Sequence, residues 1–268
     1  MTLPSGPQAE GSGAVDLVPA LTDDGEMSEI TAAISSIRDA VCALLRIAPG
    51  QTAEQFQMSI VGTTWCVSAN RAFLTAYHVL NNGKPREPGH RYHVLRAPGN
   101  GRVLQHWPVA GFRLEDPVRD LVLFDAPVPA GGGFSVRAIP VALTPPPDGT
   151  RVVTYGCSAP AVTRGSVTEM AEITDLQTVL FTHANTGIVA AQYEASPRKD
   201  ILFEFSVGWH HGESGGPVLR IEPQVAAFAV MQHYRNIEGP HGTMAGPRRG
   251  IALAAIQSEL AGVGASFV

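Results

Sequence analysis

The sequence contains few cysteines and no long apolar run, and it lacks the marks of a secreted or membrane protein. Its three cysteines, Cys42, Cys66 and Cys157, cannot form a closed set of disulfides, and no Cys-x-x-Cys pair indicates a zinc or redox site. No stretch of about 18 apolar residues could span a bilayer, and the N-terminus has neither the basic nor the apolar region of a secretory signal. We therefore expect a cytoplasmic protein without a membrane partner.

Basic charge is also scarce. The 19 Lys and Arg residues face 24 Asp and Glu residues, which gives a net charge of -5 and no support for a nucleic-acid partner. Six acids precede the first basic residue, Arg38, and they are Glu10, Asp16, Asp23, Asp24, Glu26 and Glu29. Together with frequent Gly and Pro, they predict a flexible acidic leader over residues 1–36. This leader is either a solvated tail or a regulatory, autoinhibitory segment.

Glycine and proline are abundant, with 28 and 21 of the 268 residues, and such a content is typical of short strands joined by turns. With 44% apolar residues the chain can bury a sizeable core. Helical spacing of apolar residues over 29–46 predicts a helix followed by a first strand, and Ile251–Leu260 predicts a short terminal helix. The fold class expected between them is all-β.

A segment rich in Gly and Pro interrupts the strands in the middle of the chain. Residues 131–149 hold GGGFSVRAIPVALTPPPDG, which suits an irregular crossing between two halves. We therefore predict a first β-domain over 37–130 and a second over 150–268.

A serine lies in a glycine-rich turn near the end of the sequence. In Gly212-Glu213-Ser214-Gly215-Gly216-Pro217 the glycines allow a sharp bend that exposes the hydroxyl and directs consecutive N–H groups at one point. Such a turn can supply a nucleophile and an oxyanion hole together. A serine hydroxyl needs a base at neutral pH, so one of the nine histidines has to serve.

His78 is the best candidate for that base. It lies in Phe73-Leu74-Thr75-Ala76-Tyr77-His78-Val79-Leu80, just after an apolar strand. Asp120, which opens the apolar segment DLVLF, is the candidate acid that fixes its tautomer. Asp116 and Asp125 are rival acids, but neither opens a strand. The order His, Asp, Ser places base and acid in the first half and the nucleophile in the second, so the active site would lie in the cleft between them.

At this point the sequence resembles the trypsin-like, chymotrypsin-fold serine peptidases, and within them the bacterial group that includes the HtrA-type proteases. Six ordered segments from Ala40 to Leu260 carry the resemblance: GTTWCVS at 62–68, LTAYHVL at 74–80, DLVLF at 120–124, RVVTYGCS at 151–158, GESGGPVL at 212–219 and GIALAAIQSEL at 250–260. It implies two six-stranded antiparallel β-barrels and hydrolysis of a protein or peptide substrate through an acyl-enzyme. The implied general base is His78, the orienting acid Asp120 and the nucleophile Ser214, with the N–H groups of Gly212 and Ser214 as oxyanion donors. No cofactor or metal is expected.

The sequence departs from the family beside the nucleophile. Glu213 stands where trypsins carry Asp and HtrA-type enzymes Asn, and no released N-terminus is available to pair with it. We expect it to find a fixed partner nearby, with His210 and His211 as candidates, because an unpaired carboxylate would oppose charge in the oxyanion hole. As metal ligands these two histidines lack a second ligand cluster, so surface or pocket positions are the simpler interpretation.

The substrate pocket is predicted only in outline. The resemblance places the pocket floor at Gly208, so the acid that selects Arg or Lys is missing, and the wall falls within residues 225–233, including Val230 and His233. An apolar wall would favour an apolar P1 residue, whereas His233 pointing inward would favour an acidic one.

Two other functions share features of this sequence. G-x-S-x-G also marks α/β-hydrolases, but in those enzymes the acid and histidine follow the serine, and no Asp follows Ser214. The stronger alternative is a trypsin-fold module that binds proteins or peptides with an idle triad.

Overall fold

The fold is described from a computed structural model. It covers residues 24–50, 56–96, 104–130, 135–168, 172–195, 197–208, 210–239 and 242–268, with the backbone alone for 24–27, 159, 233–239 and 242–245. The acidic leader up to residue 23 and the first part of the predicted crossing, 131–134, lie outside the described residues.

The described residues form thirteen strands and three α-helices. The helices are α1 (Asp24–Ile37), α2 (Tyr77–Asn81) and α3 (Gln257–Gly262). The strands are β1 (Val41–Pro49), β2 (Phe56–Ser68), β3 (Ala72–Thr75), β4 (Arg91–Arg96), β5 (Gln105–Pro108), β6 (Gly111–Asp116), β7 (Leu121–Asp125), β8 (Arg151–Val167), β9 (Ile173–Ala195), β10 (Asp200–Phe205), β11 (Pro217–Arg220), β12 (Ala226–Gly239) and β13 (Gly242–Ala252). Among these described residues, no helix is long and apolar enough to cross a membrane.

Two antiparallel sheets follow one another along the chain. The first has seven strands in the order β5-β4-β1-β2-β3-β7-β6, and the second is a closed six-stranded barrel in the order β10-β13-β12-β11-β8-β9. The all-β prediction is confirmed, while the first sheet has one strand more than the six predicted. Strand β3 ends just before His78, and strand β7 begins just after Asp120. The two strands are neighbours, with Thr75 opposite Val122. This pairing brings the ends that carry both residues together.

Aromatic side chains fill the core of each sheet. In the first sheet Phe73 stacks on Phe124 at a centroid distance of 6.0 Å and contacts Trp107. In the barrel Phe203 meets Phe228 edge to face at 5.1 Å. Large rings bury the most apolar area per residue, so they anchor both sheets around the cleft.

Helix α1 occupies residues that the sequence assigned to the leader. Ile34 and Ile37 are 7% and 3% exposed and belong to the core of the first sheet. At the other end of the chain, the predicted helix over Ile251–Leu260 begins as strand β13, continues as a 3-10 turn over Leu253–Ile256 and becomes α3 only at Gln257. Both helices pack apolar side chains against a sheet.

Acid is expected to weaken the fold through His93 on β4. This side chain is 8% exposed, and its Nδ1 is buried without a hydrogen-bond partner in the described part of the chain. Burial, assisted by His106 and Arg91, lowers the pKa of His93 to about 4. The unfolded chain takes up this proton near pH ~6.5. Above about pH 6.5 His93 is neutral in both states and costs no stability. As the pH falls from 6.5 towards 4, the free energy of unfolding decreases, because only the unfolded chain binds the proton.

Urea denaturation at two pH values measures this loss. From His93 alone we expect a free energy of unfolding about 2 kcal/mol lower at pH 5 than at pH 7.5. The variant His93→Leu fills the buried position with an apolar side chain and removes the titration, so the pH dependence of its stability should be smaller by that amount. An equal pH dependence in both proteins would contradict the assignment.

Candidate active site

His78 and Asp120 meet through two hydrogen bonds. The backbone N–H of His78 donates to Asp120 Oδ1 at 2.7 Å, and His78 Nδ1 lies 2.8 Å from Oδ2. The neighbouring N–H of Tyr77 donates to the Asp120 carbonyl at 3.1 Å. A carboxylate held this way fixes the ring orientation and keeps the proton on Nδ1, which leaves Nε2 as a base.

Local backbone geometry aims both residues into the cleft. His78 lies in the first turn of α2, directly after β3 ends at Thr75. Asp120 adopts a left-handed conformation with φ 55° one residue before β7, a conformation that Asp tolerates better than most residues. The rival acids are engaged elsewhere, since Asp116 pairs with Arg198 at 2.9 Å and Asp125 with Arg113 at 2.7 Å.

Residues from the barrel support the acid. Gln232 on β12 donates from Nε2 to the carbonyl of Arg119 at 2.7 Å, and the Arg119 guanidinium forms a two-point ion pair with Asp200 on β10 at 2.9 and 3.1 Å. A cavity of about 360 Å³ opens beside these groups, and His78 and Asp120 contribute to its lining. Arg119, the residue before the candidate acid Asp120, is thus tied to the opposite sheet.

The serine turn packs against the first sheet. Ser214 accepts at its carbonyl a hydrogen bond from the N–H of Thr63 at 2.9 Å. A Cβ on Gly62 would lie 2.7 Å from Val79, the neighbour of His78, and 3.0 Å from the Ser214 carbonyl oxygen. The residue after His78 and the backbone of Ser214 therefore flank one glycine of β2.

The N–H groups of Gly212 and Ser214 are the candidate oxyanion donors of the turn. Neither the Gly212 N–H nor the Ser214 N–H donates to another residue within the described ranges. Thr63 Oγ1 donates to the Gly212 carbonyl at 2.7 Å and accepts from the Cys157 N–H at 2.9 Å, which holds the peptide after Gly212 in place. Gly212 has φ 98°, a value that favours glycine.

Glu213 is buried beside the nucleophile, with 5% of its surface exposed. Its Oε1 accepts from Asn185 Nδ2 at 2.9 Å and its Oε2 from the His210 backbone N–H at 3.2 Å. The expected nearby partner is thus His210, through its backbone and not its ring, and Asn185 is added from β9. The pKa of the Glu213 carboxyl is raised overall, because the effect of burial exceeds the opposing effect of these hydrogen bonds.

The predicted pocket residues lie in different environments. Gly208 is exposed, and a Cβ there would stand 3.0 Å from Asn185 Oδ1. Val230 is 0% exposed and packs in the core, so it is a core residue and not a surface that a substrate could contact. The side chain of His233 lies outside the described atoms.

Four supporting residues were missed by the sequence interpretation. Thr63, Asn185 and Gln232 act on the site through the contacts above, and His183 packs its ring on His210 at a centroid distance of 4.2 Å. Thr63 lies in GTTWCVS and Gln232 within the predicted pocket wall, 225–233, but neither residue was assigned a role in the site. Asn185, His183 and Gln232 come from strands β9 and β12, whose approach to the serine turn depends on barrel closure.

A comparison with known protein families shows to which family this chain belongs. The family model described as a trypsin-like peptidase domain matches residues 62–227, more than half of the chain. The chain belongs to this family. The match includes all three residues of the candidate triad.

Among solved structures, this trypsin-like peptidase is similar to "HtrA-type protease AlgW with decapeptide" at a TM-score of 0.58 and 14% identity. The similarity covers 87% of this chain and 67% of that chain, and at this identity it shows the shared fold. No curated protein matches the sequence.

Proposed function

We propose that this trypsin-like peptidase is a serine endopeptidase that works through an acyl-enzyme. The observation that carries the proposal is the two-point contact of Asp120 with His78, in which one carboxylate oxygen fixes the backbone and the other the ring. A histidine needed only for packing would not require a carboxylate on Nδ1. The peptide substrate follows from the family, and the decapeptide in the AlgW structure is consistent with it.

The proposed reaction assigns one role to each residue. Ser214 Oγ attacks the scissile carbonyl while His78 Nε2 takes its proton, and Asp120 stabilises the resulting imidazolium. The tetrahedral oxyanion accepts hydrogen bonds from the N–H groups of Gly212 and Ser214. His78 then protonates the leaving amine, and water repeats the sequence on the acyl-enzyme.

Labelling with a fluorophosphonate probe tests this function. We expect one probe per chain, mapped to Ser214 by mass spectrometry, and cleavage of a denatured proteome by the same protein. An unlabelled but folded protein that retains peptides would instead support a binding module with an idle triad. The cleavage sites also test specificity, since we propose an apolar or acidic P1 residue, and a dominant Arg or Lys preference would contradict both.

The acidic leader is proposed to restrain the same site. A deletion that tests this has to stop before α1, because Ile34 and Ile37 are core residues. Removal of residues 1–23 is expected to speed labelling of Ser214 without changing the free energy of unfolding. Equal labelling rates would leave a solvated tail as the better description. The cytoplasmic location is retained as a proposal, since all three cysteines are free and buried.

A further inference from the structure

Three potential metal ligands meet beside the serine turn. His183 on β9, His210 and Glu213 each offer one ligand atom, and these atoms lie within 4.8 Å of one another. The two imidazole rings are perpendicular, at an interplanar angle of 86°. His183 and His210 are 27 positions apart in the sequence, and the pairing of β8 with β9 together with barrel closure brings them together.

The distances allow one small ion with little adjustment. Three atoms within 4.8 Å of one another share a point that lies within about 2.8 Å of each. Zinc binds imidazole nitrogen and carboxylate oxygen at about 2.0–2.2 Å. Each ligand thus has to move by less than about 1 Å. His210 is exposed and His183 partly exposed, so both rings can make this adjustment.

The carboxylate already has the supports of a metal ligand. Glu213 is buried, and the hydrogen bonds it accepts come from two neutral donors, the Asn185 amide and the His210 N–H. Such outer contacts orient a ligating carboxylate and leave a lone pair on each oxygen. Burial of this carboxylate is costly: the attraction of Arg248 and of the His210 ring offsets part of the cost, yet burial still raises the pKa of Glu213. A divalent cation bound to the carboxylate would offset more of it.

The chemistry of the donors selects the ion. Two imidazoles and one carboxylate suit zinc, whereas calcium and magnesium prefer oxygen ligands alone. Three protein ligands leave a fourth position, and the exposure of His210 allows water to fill it.

We propose that His183, His210 and Glu213 bind one zinc ion and that the bound ion fixes the segment 210–214 of the serine turn. Binding requires only these side chains and is independent of the peptidase activity proposed above.

Competition with a chromophoric chelator tests the site directly. The full chain is used without a polyhistidine tag and with Ser214→Ala, so that self-cleavage cannot contribute. We expect one zinc ion per chain and, at a hundredfold excess over Kd, a rise in Tm of about 5 °C. The variant His183→Ala should bind at least tenfold more weakly. The matched control His211→Ala removes the adjacent histidine that is outside the cluster, and it should keep the affinity within about twofold.

Several results would overturn the site. These are a Kd weaker than about 100 µM, a loss below tenfold in His183→Ala, or an equal loss in His211→Ala. Cobalt substitution separates histidine from cysteine ligation, because a thiolate charge-transfer band would place the ion on a cysteine instead. Failure of fluorophosphonate labelling in the protein with Ser214 intact would reject the proposed peptidase function and leave these binding results unaffected.

Discussion

Replacing Asp120 with Asn is expected to lower kcat by about 10⁴-fold with little change in stability. The side-chain oxygen can still accept the His78 backbone N–H, which now lies 2.7 Å from Oδ1. The new amide nitrogen then faces His78 Nδ1, where Oδ2 stood at 2.8 Å, and donates to it. This contact moves the imidazole proton to Nε2, so the ring can no longer accept the Ser214 proton. Asn also tolerates the left-handed backbone at this position.

Steady-state kinetics on a cleavable peptide and urea denaturation together measure this effect. The control is Asp125→Asn, the rival acid, which pairs with Arg113 at 2.7 Å on the far end of β7. We expect that control to keep kcat within about twofold, because a partly exposed ion pair contributes little. Comparable losses in the two variants would place the effect on stability and not on the histidine tautomer.

Replacing Gly215 with Ala is expected to destabilise the protein by about 4 kcal/mol. Gly215 has φ 84°, which L side chains rarely adopt. A Cβ there would overlap Thr75 Oγ1 and the Thr63 carbonyl oxygen, and it would lie 3.0 Å from the Ala76 nitrogen. Two of these are backbone atoms, one in β2 and one in the residue after β3, so relief requires the serine turn to withdraw from the first sheet.

The matched control is Gly262→Ala at the end of α3. A Cβ there meets no atom within 4 Å, and the free energy of unfolding should change by less than about 1 kcal/mol. Chemical denaturation of both variants provides the comparison. Equal stability of the two would show that the turn adapts without cost.

The sequence predicts the candidate catalytic residues at strand ends better than it predicts the residues that contact them. His78 and Asp120 adjoin short buried strands, so residue type, position and order already indicate that they meet. Asn185 and Gln232 lie in long strands of the barrel without a distinguishing local pattern. Their contact with Glu213 and Arg119 depends on register and closure, which are set by pairings distant in sequence.

Pairings distant in sequence also explain why the observed fold differs from the predicted one. The all-β class follows from composition and short apolar segments, but the number of strands in a sheet depends on which edges pair. Helix α1 was partly assigned to the leader because its first residues are acidic. Its burial is decided by Ile34 and Ile37 at the other end of the helix.

The contacts of Thr63 have a consequence for biosynthesis. Thr63, on β2, binds the Gly212 and Ser214 carbonyls and the Cys157 N–H, so an early strand shapes a turn that leaves the ribosome about 150 residues later. The N–H groups that would stabilise an oxyanion reach their positions only after the second barrel docks on the first sheet. A nascent chain should therefore hold no ordered serine turn until residues 210–217 have been made and the barrel has closed, and the two halves made separately should not order that turn until they associate.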